Sequence, residues 1–145
     1  MNKKQWLGLG LVTVAAIGLA ACGNRASRKD SSDAKTDLKA AIVTDTGGVD
    51  DKSFNQSAWE GLQAWGKENG LSKDNGFTYF QSTSEADFAN NFSQAATNGY
   101  KLVYGVGYKL APAVTAAADE NADINYVIID SVVSDKKNVA SAVFA

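Results

Sequence analysis

Short apolar runs alternate with helical periodicities along the chain from residue 38 onward. Runs at 39–44, 76–82, 101–105, 124–130 and 139–145 are rich in β-branched or aromatic side chains, so each predicts a strand. The first of them, from Lys39 to Thr44, is mostly apolar on both faces, which is typical of a strand buried within a parallel sheet. We therefore expect a sheet of five strands.

Three helices are predicted between these runs, because apolar residues recur there three or four positions apart. Their apolar faces are Phe54, Ala58, Leu62 and Trp65 for the first, Phe88, Phe92 and Ala95 for the second, and Leu110, Val114 and Ala117 or Ala118 for the third. Ser53 with Gln56, and Ser84 with Asp87, have capping-box spacing at the first two helix starts. The alternation matches right-handed βαβ units and predicts an α/β fold, a Rossmann-like parallel sheet with flanking helices.

The first 21 residues have the pattern of a lipoprotein signal peptide. Lys3 and Lys4 precede an apolar run from Trp6 to Ala21 that ends in small residues before Cys22. Three glycines and a threonine make this run marginal for spanning a bilayer. We expect cleavage before Cys22, with an uncleaved N-terminal anchor as the alternative. The resemblance of Cys22 to a lipobox cysteine implies a diacylglycerol on its sulfur, and two or three acyl chains would hold the protein on a membrane surface.

Residues 23–37 are polar, without aromatics or an apolar period, which predicts a flexible tether. A solvated helix is the alternative, although its serines, aspartates and glycine prefer caps and turns. The predicted organisation is a signal peptide at 1–21, a lipidated cysteine and tether at 22–37, and an α/β domain at 38–145.

Composition argues against several kinds of partner. The chain carries 14 basic and 16 acidic side chains, and removal of residues 1–21 takes away two lysines, which leaves 12 against 16 and a net charge of −4. That balance argues against nucleic acid or anionic lipid as a partner. Cys22 is the only cysteine, so the chain offers no disulfide and no zinc–thiolate site. We predict neither a metal nor a cofactor.

The stretch from Thr44 to Glu60 is the predicted ligand site. It combines the end of a buried strand, a glycine-containing loop and the first turns of a helix, and open α/β sheets bind ligands at this carboxyl edge. The loop holds Asp45, Asp50 and Asp51 against one nearby cation, Lys52. A phosphate would meet several like charges, each costing about 4 kcal/mol at about 4 Å with an effective dielectric near 20. The loop therefore predicts a neutral ligand rich in hydroxyl or amine groups.

A longer motif in the same stretch carries a family resemblance. The pattern D-x-G-G-x-x-D-x-S-F-N-Q-x-x-W-E-G, from Asp45 to Gly61, resembles the signature of the basic membrane protein family, and the similarity continues through 104–107 and 127–130. Members of that family are surface lipoproteins that bind purine nucleosides for an ABC transporter. The resemblance implies two lobes of the type I periplasmic-binding-protein fold, of which this chain would form the first, incompletely.

Four residues are the predicted ligand contacts. Phe54 offers a flat face on which a nucleobase can stack, and the resemblance implies that role; its alternative is a core position. Asn55 can donate and accept, as recognition of a base edge requires, or it is a solvated first-turn residue. Asp45, directly after the first strand, can accept from ring N–H groups or ribose hydroxyls. Asp130 has the equivalent place after the fourth strand, where the family has a binding aspartate; a turn or helix-cap role is the alternative.

Other residues of the motif are assigned to structure. Gly105 and Gly107 match the family, but G-V-G alone predicts only a tight strand exit. Trp59 and Trp65 are predicted packing residues, and Asp51 could brace Lys52 or Ser53.

The predicted function is a membrane-anchored receptor on the extracytoplasmic face that captures nucleosides for an ABC permease, without catalysis; the family resemblance implies purine nucleosides. An enzyme alternative is a Mg²⁺-dependent phosphotransferase or phosphatase that uses the carboxylates at the sheet edge. The third alternative is a lipoprotein adhesin or sensor that binds another macromolecule.

Overall fold

A parallel sheet of five strands organises residues 34–144, the part of the chain that the computed structural model describes. The strands are β1 (Ala40–Val43), β2 (Phe77–Phe80), β3 (Leu102–Val106), β4 (Asn125–Ile129) and β5 (Val139–Ala142), and the helices are α1 (Phe54–Glu68), α2 (Phe88–Thr97) and α3 (Ala111–Glu120). The strand order is β2-β1-β3-β4-β5, and every neighbouring pair is parallel. The predicted α/β fold is confirmed. Cys22, its signal peptide and the tether as far as residue 33 lie outside the described residues.

The face of the sheet beneath α2 and α3 is closed by a continuous core. Alternate strand residues such as Val43, Val103 and Ile128 pack there against Phe92 and Val114. Both helices present the predicted apolar faces, because residues three and four apart lie on the same side of a helix. Glycine is required inside β3, since a Cβ on Gly105 would stand 2.8 Å from Val114 Cγ2.

Within residues 34–144, α1 is the one helix that covers the opposite face. Trp59 and Leu62 pack on Ala40, Ile42 and the ring of Phe77. Beside the helix the sheet is left open as an apolar groove of about 270 Å³, which we call the α1 groove; it is lined by Ala40, Ile42, Ala58, Gly61, Leu62, Trp65, Leu102, Tyr104 and Ile129. Parallel sheets are normally covered on both faces, so this face has only part of the cover that such a sheet usually has.

The buried face of α1 differs from the predicted one. The helix buries Asn55, Trp59, Leu62 and Gly66, while Phe54 is 43% exposed. Gly66 is needed because a Cβ there would collide with the Phe77 ring. Ala58, Leu62 and Trp65 of the predicted stripe do pack in this core. The prediction that Phe54 begins the stripe is wrong, because the buried face starts one residue later, at the hydrogen-bonded Asn55.

The N-terminal edge of the domain includes residues that the sequence assigns to the tether. The Lys35 amide donates to the Asn69 carbonyl at 2.9 Å, and Ala34 and Thr36 are half-buried. Residues 34–37 therefore lie against the end of α1. Across the described range, no helix is both long and apolar enough to cross a membrane.

Candidate ligand-binding site

The predicted site lies at the point where the strand order reverses. β1 is flanked by β2 and β3; α1 follows β1 on one face of the sheet, and α3 follows β3 on the other. The loops after β1 and β3 therefore diverge and leave a crevice at their carboxyl ends, which is where doubly wound sheets bind ligands. Asp45 follows β1 and Gly107 follows β3, so both residues border this crevice.

Asp45 ties the loop after β1 to the start of α1. Its Oδ1 accepts hydrogen bonds from the Gly47 amide at 2.8 Å and from Asn55 Nδ2 at 2.7 Å. Its Oδ2 faces the backbone of Gly107, because a Cβ on that glycine would stand 3.4 Å from it. Gly107 has φ +105°, a conformation that side chains disfavour, so the residue is both the predicted tight strand exit and a wall of the site.

Asp51 caps α1, a role that the sequence assigns to Ser53 and Gln56. Asp51 Oδ1 accepts from the Ser53 and Gln56 amides at 2.7 and 3.1 Å, and Oδ2 accepts from the Asn55 amide at 3.3 Å. Ser53 makes no side-chain cap, and Gln56 Oε1 accepts from the Lys52 amide instead. The capping box predicted at Ser53 and Gln56 is therefore wrong: the Asp51 carboxylate accepts from the free amides and also complements the positive end of the helix dipole.

The protonation of Asp51 reflects these contacts. Burial favours the neutral acid, but the hydrogen bonds from Gln56, Ser53 and Asn55 outweigh it and lower the pKa of Asp51 below its ordinary value. The carboxylate is therefore ionised at neutral pH.

Asn55 is the most buried of the predicted contact residues, at 2% exposure. Its Nδ2 donates to Asp45 at 2.7 Å and to Asp51 at 2.8 Å, which uses both amide protons. Its Oδ1 is buried and has no hydrogen-bond partner within residues 34–144. Asn55 thus bridges two carboxylates, and only its Oδ1 remains free to accept a hydrogen bond from a ligand. Its direct contact with a ligand stays a prediction.

Phe54 stands at the mouth of the crevice with 43% of its surface exposed. Its ring is stacked on Phe144, with centroids 5.1 Å apart and planes 23° from parallel. The large exposed apolar residues include Tyr108, Val132, Val143 and Phe144, which all follow the carboxyl ends of strands. This edge of the domain therefore has a polar floor, formed by Asp45, Asp51 and Asn55, and a rim that carries the exposed rings of Phe54, Tyr108 and Phe144.

Asp130 reaches the same sheet edge, two strands from Asp45. It has φ +64°, and its amide donates to the Ala142 carbonyl at 2.8 Å, which joins β4 to β5. Among the described residues no hydrogen bond links its carboxylate to Asp45 or Asn55. The structure places both aspartates at one edge without direct contact.

Three buried polar residues, Thr44, Ser82 and Asn91, support this edge through hydrogen bonds that no sequence pattern indicates. Ser82 Oγ donates to the Thr44 carbonyl at 2.7 Å, and the Ser82 amide donates to Thr44 Oγ1 at 3.2 Å. Asn91 Nδ2 in turn donates to Ser82 Oγ at 2.9 Å. Because these partners are 9 to 38 residues apart, only the folded topology reveals them, and they fix the residue that precedes Asp45.

An ion pair joins the loop after β2 to the loop after β3. Lys109 Nζ lies 2.8 Å from Glu85 Oε1. Hydrogen bonding to Glu85 raises the pKa of Lys109, and Asp45 adds a smaller Coulombic contribution. Lys109, the cation in the loop after β3, is therefore already paired. No group of three or more carboxylates, histidines or cysteines in residues 34–144 is arranged to hold a metal ion.

The chain is similar in sequence to several known proteins. A family model described as ABC transporter substrate-binding protein PnrA-like matches residues 38–145. An ABC transporter nucleoside-binding protein, BmpA, of Lactococcus lactis is 52% identical over 99% of this chain and 41% of its own length. A CD4+ T-cell-stimulating antigen of Listeria monocytogenes is 45% identical over 99% of this chain and 42% of its own. The chain thus spans about two fifths of these relatives.

Solved structures support the fold. A solute-binding protein of an ABC transporter system from Aeropyrum pernix superposes with a TM-score of 0.64 at 23% identity, over 73% of this chain and 28% of that one. Another from Conexibacter woesei gives 0.56 at 22% identity, over 72% and 34%. The described domain is therefore similar to part of a periplasmic-binding-protein lobe.

Proposed function

This chain belongs to the Bmp family of PnrA-like ABC transporter substrate-binding proteins, and from that premise we propose that it captures nucleosides, specifically purine nucleosides, for an ABC importer. The observation that carries the proposal is the exposed ring of Phe54 beside a floor of hydrogen-bond acceptors. A nucleoside fits both features, since its flat base can stack on the ring and its ribose hydroxyls can donate to the acceptors. Stacking of a base on an aromatic ring contributes about 1–3 kcal/mol.

The charges favour a nucleoside over a nucleotide. Asp45 and Asp51 are both held against Asn55, and Lys109, the cation at the rim, is already paired with Glu85. A phosphate at this edge would meet Asp45 and Asp51 with Lys52 as the one cation of the same loop, whereas a neutral sugar would meet acceptors for its hydroxyl groups. The same floor that receives ribose therefore discourages phosphorylated forms.

Each site residue has a distinct role in the proposal. Phe54 stacks on the base. Asp45 accepts through Oδ2, the oxygen that makes no hydrogen bond to Asn55 or Gly47. Asn55 is restricted to accepting through Oδ1, which suits a ring N–H or an exocyclic amine. Asp130 contributes a second carboxylate from the end of β4.

The remaining parts of the proposal concern delivery. Lipidation at Cys22 would hold the receptor on the extracytoplasmic face of the cell membrane, and residues 22–33 would span the gap to the domain. The partner would be an ABC permease that accepts the loaded receptor. The matched family is one of substrate-binding proteins, and the proposal assigns no catalytic group.

The test is a binding experiment on a form of the protein that carries both lobes. Phe54→Ala should weaken purine nucleoside binding by about 1–3 kcal/mol, roughly five- to 150-fold, while Phe54→Tyr and Phe54→Trp should retain it. Leu38→Ala is the matched control, because Leu38 is an exposed apolar residue just before β1. Isothermal titration calorimetry on folded variants gives the affinities. If Phe54→Ala binds as tightly as the parent, the stacking role is refuted.

A stability assay separates the receptor from the enzyme alternative. Inosine or adenosine should raise the melting temperature of the two-lobed form, since a ligand that binds only the folded state stabilises it. Stabilisation by Mg²⁺ that EDTA reverses, without a nucleoside effect, would favour the phosphotransferase.

A further inference from the structure

The end of β5 contributes an aromatic ring to the mouth of the site. Phe144 follows that strand by two residues, is 64% exposed and stacks on Phe54 with ring centroids 5.1 Å apart and planes 23° from parallel. That geometry lies within the range of aromatic pairs that attract each other. We propose that Phe144 is a positioning residue that supports one face of the Phe54 ring and directs the other face to the ligand. The inference rests on the proposed nucleoside function.

The sheet holds the backbone that leads to Phe144 in place. β5 pairs in parallel with β4 up to the Ile129 and Ala142 partners, and the Asp130 amide donates to the Ala142 carbonyl at 2.8 Å. The last hydrogen-bonded residue is thus two positions before Phe144. Asp130 has a left-handed backbone at this point, with φ +64°. Asp130, which follows β4 at the site, therefore also fixes the backbone from which the Phe144 ring extends.

Phe54 needs such support because it lies at the first position of α1. An exposed side chain there has few neighbours to select one rotamer, and an unrestrained ring loses conformational entropy when a ligand fixes it. A second ring on one face reduces that loss before binding. Phe54 remains 43% exposed with Phe144 in contact, so the pair still presents surface to a ligand.

The opposite arrangement makes a different prediction. If Phe144 lies where the base should stack, it competes with the ligand, and its removal strengthens binding. If Phe144 supports the ring from behind, its removal weakens binding. The sign of the change in affinity therefore distinguishes the two arrangements.

The experiment measures purine nucleoside affinity by calorimetry in the two-lobed form. Phe144→Ala should weaken binding about two- to tenfold, the range that corresponds to one aromatic pair, and Phe144→Tyr should restore it. Val143→Ala is the matched control, because Val143 is the adjacent residue and is equally exposed. The melting temperatures of all variants should agree within a degree or two, since the ring lies at the surface.

A second readout follows the Phe54 ring itself. With ring-labelled phenylalanine, Phe144→Ala should shift or broaden the Phe54 ring signals in the absence of ligand, whereas Val143→Ala should not. Unchanged affinity or increased affinity in Phe144→Ala overturns the positioning role while leaving nucleoside binding intact. A parent that binds no nucleoside overturns the proposed function, and the inference fails with it.

Discussion

Substitution of Asp51 by alanine should destabilise the domain by several kcal/mol through the loop after β1. The carboxylate accepts hydrogen bonds from the backbone amides of Ser53, Asn55 and Gln56 and from the Asn55 side chain. Alanine removes every one of these acceptors at once. The start of α1 then has three amides without their cap, and a buried side-chain amide loses one of its two partners.

The magnitude follows from two separate losses. Removal of a helix N-cap costs about 0.5–2 kcal/mol. A buried donor left without an acceptor costs about 1–3 kcal/mol, and Asn55 is only 2% exposed. We therefore expect the free energy of unfolding to fall by about 3 kcal/mol, a large share of the 5–15 kcal/mol that holds a typical domain. Asp51→Asn keeps one acceptor oxygen and should lose about half as much.

Urea denaturation of residues 23–145, followed by far-ultraviolet circular dichroism, measures these differences. Asp50→Ala is the matched control, because Asp50 is the neighbouring exposed carboxylate and should change stability by less than about 0.5 kcal/mol. Equal stability of Asp51→Ala and Asp50→Ala would refute the capping role and show that water replaces the carboxylate without cost.

The effect should also depend on pH with a defined sign. The pKa of Asp51 is lowered in the folded state, so its stabilising contribution is fully present above the unfolded pKa, near 3.9. It disappears as the pH falls through the lower folded value. The stability gap between the parent and Asp51→Asn should thus be constant from pH 5 to 7 and narrow below about pH 4. A gap that widens in acid would contradict this assignment.

The other predictions concern the anchor and the site. Cys22→Ala should abolish processing and acylation at that position, and membrane fractionation with a fatty-acid label tests it; unchanged labelling would disprove the lipoprotein assignment. Residues 23–145 alone should bind adenosine, guanosine and inosine only near millimolar, because a one-lobed site leaves much of the ligand in water and forfeits about 4–6 kcal/mol. Sub-micromolar binding by a monomer in calorimetry would show that this lobe contains the whole site. Phe54→Ala and Phe144→Ala are the two ring substitutions described above.

The elements were predictable from sequence because each depends on local periodicity. All five strands and three helices lie within a few residues of their predicted positions, and the parallel arrangement follows from their alternation. Strand ends were less predictable: the first run, 39–44, is shorter at both ends as Ala40–Val43, and the third, 101–105, is shifted by one residue to Leu102–Val106, since apolar composition does not show where ladder hydrogen bonds stop.

The site was predictable in position but not in its connections. Asp51, Ser53 and Gln56 lie close together at the start of α1. The spacing of the serine and the glutamine could not show that the Asp51 carboxylate accepts from the free amides. Burial of Asn55 depends on Asp45, ten residues earlier, and an apolar pattern does not register such a contact. Phe144 meets Phe54 across 90 residues of chain, so only the order of the strands brings the two rings together.

The α1 groove affects how this domain behaves in solution. A patch that includes Leu102, Tyr104 and Ile129 meets water directly, and two copies could reduce that exposure by placing their grooves together. Sulfate and phosphate strengthen apolar association because they are excluded from protein surfaces. Residues 23–145 should therefore precipitate at lower ammonium sulfate concentrations than a domain of equal size and charge with both faces covered. Purification in dilute chloride buffers, with ion exchange in place of salting out, follows directly from the one-sided cover of this sheet.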